Sequence, residues 1–283
     1  ARSVSAFAHA SYKLTDALTV TGGIRYTDDK KTYTYGRLNP YDVSQPAYTV
    51  AGAINGVTGR FAKTRWDYRA NVDYRWSHNV MTYAQFSTGY KGGGVNPRPF
   101  APEQAVSFNP ETLTAWEIGA KTDFFDRALR VNISAFINKY KDIVFTNVSP
   151  TVNSVTNATP VNAGDADMKG VEVEVTARPV EGLTIDASGS WLDFQLTRIG
   201  ATGATIRGIT LGNKAPYAPE WKFGAGVQYA FAVGDAGTLT PRVDVNYQSS
   251  FFSNIDNNPL AKVDGYAVAN GRLTFEDASR DWQ

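Results

Sequence analysis

The sequence predicts an all-β chain: a segment of an antiparallel transmembrane β-barrel with about eleven long strands, short periplasmic turns and long extracellular loops. Three observations predict it. Apolar and polar residues alternate with period two over long runs, the mark of strands with one apolar and one polar face. The runs reach about 12 residues, roughly twice an ordinary strand and enough to cross a bilayer at a tilt. The connections alternate between short turns and long polar loops, as in outer-membrane barrels.

The first strand is read over Val4–Tyr12, and Leu14–Ala17 turns it. The second runs from Leu18 to about Tyr35, with Leu18, Val20, Gly22, Ile24 and Tyr26 outward. Its second half, TDDKKTYTYG, is too polar for lipid and is expected to project into water. A loop at 36–60 follows. In the third strand Trp66, Tyr68, Ala70, Val72, Tyr74 and Trp76 share one face, and Asp67, Arg69, Asn71, Asp73 and Arg75 the other. Aromatics bracketing aliphatics suit an outward face, because Tyr and Trp favour the headgroup levels. Ser77–Asn79 is a turn, Val80–Tyr90 the fourth strand and 91–110 a glycine-rich loop.

The next two strands form the plainest hairpin. Trp116, Ile118, Ala120, Thr122 and Phe124 lie opposite Glu117, Gly119, Lys121 and Asp123. After a tight turn at Phe125-Asp126-Arg127, Leu129, Val131, Ile133, Ala135 and Ile137 alternate with Arg130, Asn132, Ser134, Phe136 and Asn138. Residues Ile143–Asp167, rich in Asn, Thr, Ser and Pro, read as a loop of about 25 residues. The seventh strand carries Val171, Val173, Val175 and Ala177 outward, and Val180–Gly182 turns it into Leu183–Leu196. Loop 199–217 leads to a strand with Trp221, Phe223, Ala225, Val227, Tyr229 and Phe231 outward. A turn at Val233–Gly237, a tenth strand through Val243, Val245 and Tyr247, loop 251–263 and Tyr266–Phe275 complete the pattern.

Composition agrees. The 283 residues carry 28 basic and 27 acidic side chains, so charge gives no sign of a nucleic-acid partner. There is no cysteine, which removes disulfide frameworks and thiolate chemistry. No run of 18 apolar residues occurs, so no transmembrane helix is expected. The slightly negative mean hydropathy suits a barrel, in which only alternate residues meet lipid. The opening ARSVSAFAHASYKL lacks the basic and apolar regions of a signal peptide, so the chain is expected to start at a mature terminus or within a longer protein.

Four stretches carry a resemblance to a known family: FSTGYKGGGVNP (Phe86–Pro97), NPETLTAWEIGAKTDFFDRALRVNISAFINKYKDI (Asn109–Ile143), MKGVEVEVTARPVEGLTI (Met168–Ile185) and NKAPYAPEWKFGAGVQY (Asn213–Tyr229). In order and content they resemble the barrel of the TonB-dependent outer-membrane receptors. That resemblance implies a barrel of about 22 strands closed by an N-terminal plug, with a TonB box coupling it to inner-membrane energy. Residues 1–283 are expected to be a partial barrel domain, without plug, TonB box or last strands. The implied function is uptake of a scarce ligand of the siderophore-iron, cobalamin, haem or glycan class. The implied partners are outer-membrane lipid, the TonB complex through the absent N-terminal part, and the small ligand. The implied location is the outer membrane of a Gram-negative bacterium, with no cofactor, no metal and no enzymatic activity. The rivals are a passive porin-like channel and an adhesive surface barrel.

Ligand contact is expected at the extracellular loops, which are polar with scattered aromatics. The candidates are Tyr90, Lys91, Asn96, Phe100, Phe251 and Phe252. Tyr90-Lys91-Gly92-Gly93-Gly94 is not a phosphate loop, since its lysine precedes the glycines and no helix follows. The glycines are expected to let the chain bend at the rim. His9 and His78 sit at opposite kinds of position and cannot share a metal. Asn254–Asn258 lacks the spaced acids of a calcium loop. The inward charges, among them Asp123, Arg130, Glu172, Glu174, Arg242 and Asp244, are expected to pair across strands or to meet the plug.

Overall fold

A computed structural model describes residues 1–36, 54–99, 102–152 and 155–279; of the side chains at 148–157 nothing is said below. Eleven long strands form one antiparallel sheet in chain order. They are β1 (Arg2–Lys13), β2 (Leu18–Thr34), β3 (Thr58–Arg75), β4 (Val80–Lys91), β5 (Glu111–Phe124) and β6 (Leu129–Val152). Then come β7 (Val155–Ala177), β8 (Leu183–Ile199), β9 (Trp221–Tyr229), β10 (Gly237–Gln248) and β11 (Tyr266–Asp277). Phe231–Ala232 extends β9 onto β10. Among the described residues β1 pairs only with β2, and β11 only with β10.

The pairing keeps every predicted face together. On the outward face Ala120 meets Ile133, Ile133 meets Val173, Val175 meets Ala187, Ala225 meets Val245 and Val245 meets Ala269. Because side chains alternate, a slip of one residue anywhere would turn the apolar face inward. Exposure follows: Ile118 is 63 % exposed and Val243 57 %, values that make sense only if the face meets lipid.

Two aromatic bands edge this face. Near the long loops Tyr26 packs on Trp66 at 4.9 Å, Phe86 on Trp116 at 5.8 Å and Trp191 on Trp221 at 6.4 Å. Near the short turns Tyr74 meets Trp76 at 4.6 Å and Tyr229 meets Phe231 at 4.5 Å. The bands are eight residues apart on three strands: 66 to 74, 116 to 124 and 221 to 229. Eight residues of antiparallel strand span about 27 Å. At a tilt of about 40° that is about 21 Å of height, close to the apolar band of such barrels.

The short turns lie where expected. Phe125, Asp126 and Arg127 all take positive φ, and the Ala128 N–H closes onto the Phe125 carbonyl. One expectation fails. The predicted loop Ile143–Asp167 is mostly ribbon: β6 runs 24 residues and β7 23, and pairs such as Val144 with Asn162 and Asn147 with Thr159 extend it beyond the aromatic band. The composition misleads because neither face there meets lipid, so the apolar alternation lapses while backbone pairing continues. The register shifts on both sides of Ile143, next to Asp142 with φ 57°, so the ribbon is re-aimed by bulges. Likewise β3 begins at Thr58, eight residues before Trp66, and prolongs the β2–β3 hairpin into water.

Candidate functional site: the extracellular mouth

Above the outer aromatic band, the connections fold over the inner face of the sheet and bury a set of side chains there. The first such cluster involves β2, β3 and the segment after β4. Asp29 and Lys31 follow Thr27 on the inward side of β2, and Tyr35 stands just past its end. The Lys31 ammonium donates to the Gly93 carbonyl at 2.7 Å and stands 5.5 Å over the Phe61 ring. The Tyr35 hydroxyl donates to the Asn96 carbonyl at 2.7 Å. Phe61 and Val95 become buried, and Gly94–Val95 pairs with Ser107–Phe108.

The glycines serve this close approach rather than a left-handed bend, since none of Gly92–Gly94 has positive φ. A Cβ on Gly93 would overlap the Phe108 carbonyl oxygen and the Phe61 ring. The Tyr90 hydroxyl donates to Asp29 Oδ2 at 2.6 Å, and the Arg65 guanidinium lies 5.8 Å over the Tyr90 ring. Hydrogen bonds from Ser3 and then Tyr90 hold the Asp29 carboxyl below its ordinary range, against the opposing effect of burial.

The second cluster is a small apolar core at the mouth. Ile143, Ala163, Ala166, Phe194 and Leu196 of β6–β8 pack with Ile206 and Ile255 from the two following connections. These connections are tied to each other. Asn213 Nδ2 donates to the Ile255 carbonyl at 2.6 Å, the Lys214 N–H donates to Asn257 Oδ1 at 2.6 Å, and Asn257 Nδ2 returns to the Lys214 carbonyl at 3.0 Å. Alternation shows Phe194 and Leu196 on one face of their strand, but it could not reveal their partners, because Ile143, Ala163, Ile206 and Ile255 come from segments without alternation.

Asn162 joins the two clusters. Its side chain binds the main chain of Asn109 and the Asp142 carbonyl, while its own carbonyl accepts the Thr202 hydroxyl at 2.6 Å. Beside it, Arg198 forms a two-pronged pair with Asp165 at 2.8 and 2.9 Å. That pair, first of all, holds the Asp165 carboxyl below its usual value.

The sequence-predicted site residues fall as follows. Tyr90, Lys91 and Asn96 belong to the first cluster. Lys91 is exposed and paired with Glu111 at 2.9 Å. Asn96 is completely buried: its Nδ2 donates to the Gln104 carbonyl, its Oδ1 accepts the Arg98 N–H, and its N–H binds the Val106 carbonyl. Phe251 and Phe252 lie in a two-residue strand against Lys262–Val263, next to the second cluster. The Phe251 ring meets that of Tyr217 in a tilted contact at 5.9 Å; Tyr217 is exposed, has φ 56°, and its N–H donates to the Phe252 carbonyl. No sequence pattern singled out Tyr217. Phe100 lies outside the described residues.

Deeper on the inner face charges pair across strands, as expected, and also within one strand. Arg130 holds Asp123 at 2.8 Å, and Arg242 forks between Asp244 at 2.6 Å and Asp186 at 3.1 Å. Lys121, Glu172 and Glu174 share a recess with Tyr83 and Asn132. The wall is thus polar and mixed in sign.

Comparison with known proteins places this arrangement. All of residues 1–283 match the family described as "TonB dependent receptor-like, beta-barrel". The chain is similar to the pesticin receptor of Yersinia pestis, 25% identical over 288 aligned positions that take in 100% of this chain and 37% of the relative. It is also similar to the probable TonB-dependent siderophore receptor PiuA of Acinetobacter baumannii, 25% identical over 62% of this chain and 23% of the relative. Among solved structures, the ferric yersiniabactin uptake receptor FyuA from Yersinia pestis superposes with TM-score 0.77 at 22% identity, covering 98% of this chain and 38% of that one. The chain thus spans well under half the length of the relatives it matches.

Proposed function

Because the chain belongs to the TonB-dependent receptor β-barrel family, we propose that it forms part of the wall and mouth of an outer-membrane receptor that takes up a ferric siderophore with TonB-supplied energy. The observation that carries the reading is the match over the entire chain, combined with a mouth built from interlocked loops. The relative PiuA, whose name refers to a siderophore, favours that class over cobalamin, haem or glycan.

In this reading the ligand meets Tyr90, Lys91, Phe251 and Phe252 at the rim, and Phe100 is a further contact. Asn96 acts through the loop it holds. The mixed charges of the inner wall, Lys121, Glu172 and Glu174 among them, face the plug contributed by the rest of the protein. The location is the outer membrane of a Gram-negative bacterium.

The test is uptake of iron-55 siderophores by a strain stripped of its own receptors and supplied with the full-length protein. The expected result is accumulation of at least one ferric siderophore, abolished when TonB is deleted. Accumulation that ignores TonB would support a passive channel, and binding without accumulation an adhesive barrel; either would overturn the proposal.

A further inference from the structure

The outward face is not uniform. On β7–β9 it contains a trough of about 470 Å³, within the range of ligand sites. Register explains it. Val173, Gly189 and Phe223 form one row across the three strands, and Val175, Ala187 and Ala225 the next. Gly189 and Ala187 are thus a low floor along β8. The valines at 171, 173 and 175 form one wall, Trp221 and Phe223 the other. The Phe223 ring leans toward Gly189, where a Cβ would stand 3.2 Å from the ring. The trough runs along β8 and ends at the outer aromatic band, below which the surrounding medium is acyl chain.

Its upper end is closed by Trp191, whose Nε1 donates to Glu220 at 3.3 Å. Directly above, Lys169 and Asp193 are the next outward pair. Asp193 is shared by Lys169 and Lys214, each at 3.4 Å, and Lys214 reaches Glu220 at 4.0 Å. The Asp193 side chain is only 13% exposed, while the lysines are 55% and 42% exposed. The carboxylate is therefore underneath, and two ammonium groups, whose charge Asp193 and Glu220 balance, stand at headgroup height. An apolar trough capped by indole and topped by two such groups matches an amphiphile with an acyl chain below and an anionic phosphate above.

We propose that the outward face of β7–β9 is a specific site for a membrane lipid with a phosphate-bearing headgroup, one acyl chain lying in the trough and the phosphate on Lys169 and Lys214. The site lies outside the ligand path and rests on the membrane placement of the sheet, not on uptake.

The test uses the full-length receptor in phosphatidylcholine nanodiscs doped with phosphatidic acid carrying a diazirine in one chain. A diacylglycerol with the same chain serves as the headgroup-free probe. After irradiation, peptide mass spectrometry should find labelling at 171–175, 187–191 and 221–223. Labelling there should exceed that around Ile118 and Ile133 on the same lipid-facing surface by roughly tenfold with the phosphate probe alone. Ala187→Leu, which fills the floor, and the double variant Lys169→Gln/Lys214→Gln should each remove the excess. If Ala187→Leu fails to assemble, the double variant, changed only at exposed side chains, decides. Equal labelling of both regions, equal labelling by both probes, or an excess that survives the double variant would overturn the site and leave only ordinary annular lipid. None of these outcomes depends on siderophore uptake.

Discussion

Asn162 grips Asn109 from both sides: its Oδ1 accepts the Asn109 N–H at 2.8 Å, and its Nδ2 donates to the Asn109 carbonyl at 3.0 Å. The same Nδ2 reaches the Asp142 carbonyl at 2.8 Å. One amide thus fastens the end of the β4–β5 connection to the β6–β7 ribbon, and through Thr202 to the connection after β8. Asn162→Ala should loosen this by about 1–3 kcal/mol, since each lost bond contributes about 1 kcal/mol. Hydrogen exchange of the full-length receptor should rise near residues 105–112 while heat-modifiable gel mobility, the sign of an assembled barrel, is kept. Unchanged exchange would show that the fastening is redundant.

Gly93 and Gly89 make a matched pair. A Cβ at Gly93 overlaps Phe108 and Phe61, whereas a Cβ at Gly89 meets nothing within 4 Å. Gly93→Ala should destabilise the mouth by about 1–3 kcal/mol, the usual cost of overpacking, and lower ligand affinity in titration calorimetry. Gly89→Ala should do neither. Equal behaviour of the two would mean the segment is not held against β3.

The Asp165–Arg198 pair gives a pH dependence. An unfolded aspartate titrates near ~3.9, and Arg198 holds the folded value lower. The pair's contribution is therefore complete above about pH 4 and is lost as pH falls through the lowered folded value. Between neutral pH and pH 5 nothing should change. Limited pepsin cleavage of the β6–β7 ribbon should be faster in Asp165→Asn than in the native protein at pH 5, and the two should converge as pH falls through the lowered folded value. Identical cleavage at pH 5 would refute a role for the pair.

Face assignment is tested at adjacent residues. Ile133, paired with Ala120 midway between the aromatic bands, points to lipid, while Asn132 points to the lumen. Ile133→Arg should cost about 2–4 kcal/mol, the penalty for arginine at the membrane midplane. Asn132→Arg should cost far less. Urea-unfolding midpoints of the full-length receptor in lipid vesicles would compare them, and a reversed order would invert the sheet.

The membrane sheet was legible from alternation alone. Wherever a strand crosses lipid, alternate residues must be apolar and aromatics collect at the two interfaces, so Trp66–Trp76 and Leu129–Ile137 report both strand and face. Short turns and long connections then orient it. The mouth was only partly legible. Tyr90 and Lys91 stand at the rim, yet Asn96, picked as a ligand contact, is buried within its own loop, and the stretch after Ile143 is ribbon rather than loop. Tertiary structure decided these because, outside the bilayer, both faces of a strand meet water or neighbouring loops, and no contrast in polarity imposes a period. There the chain is held by single contacts between distant residues, such as Asn162 with Asn109, Asn213 with Ile255 and Gly93 with Phe61, and such pairs leave no local pattern. The lipid trough was hidden for a related reason: alternation marks Val173, Gly189 and Phe223 as outward, but only the pairing of three strands puts the small residue between the large ones.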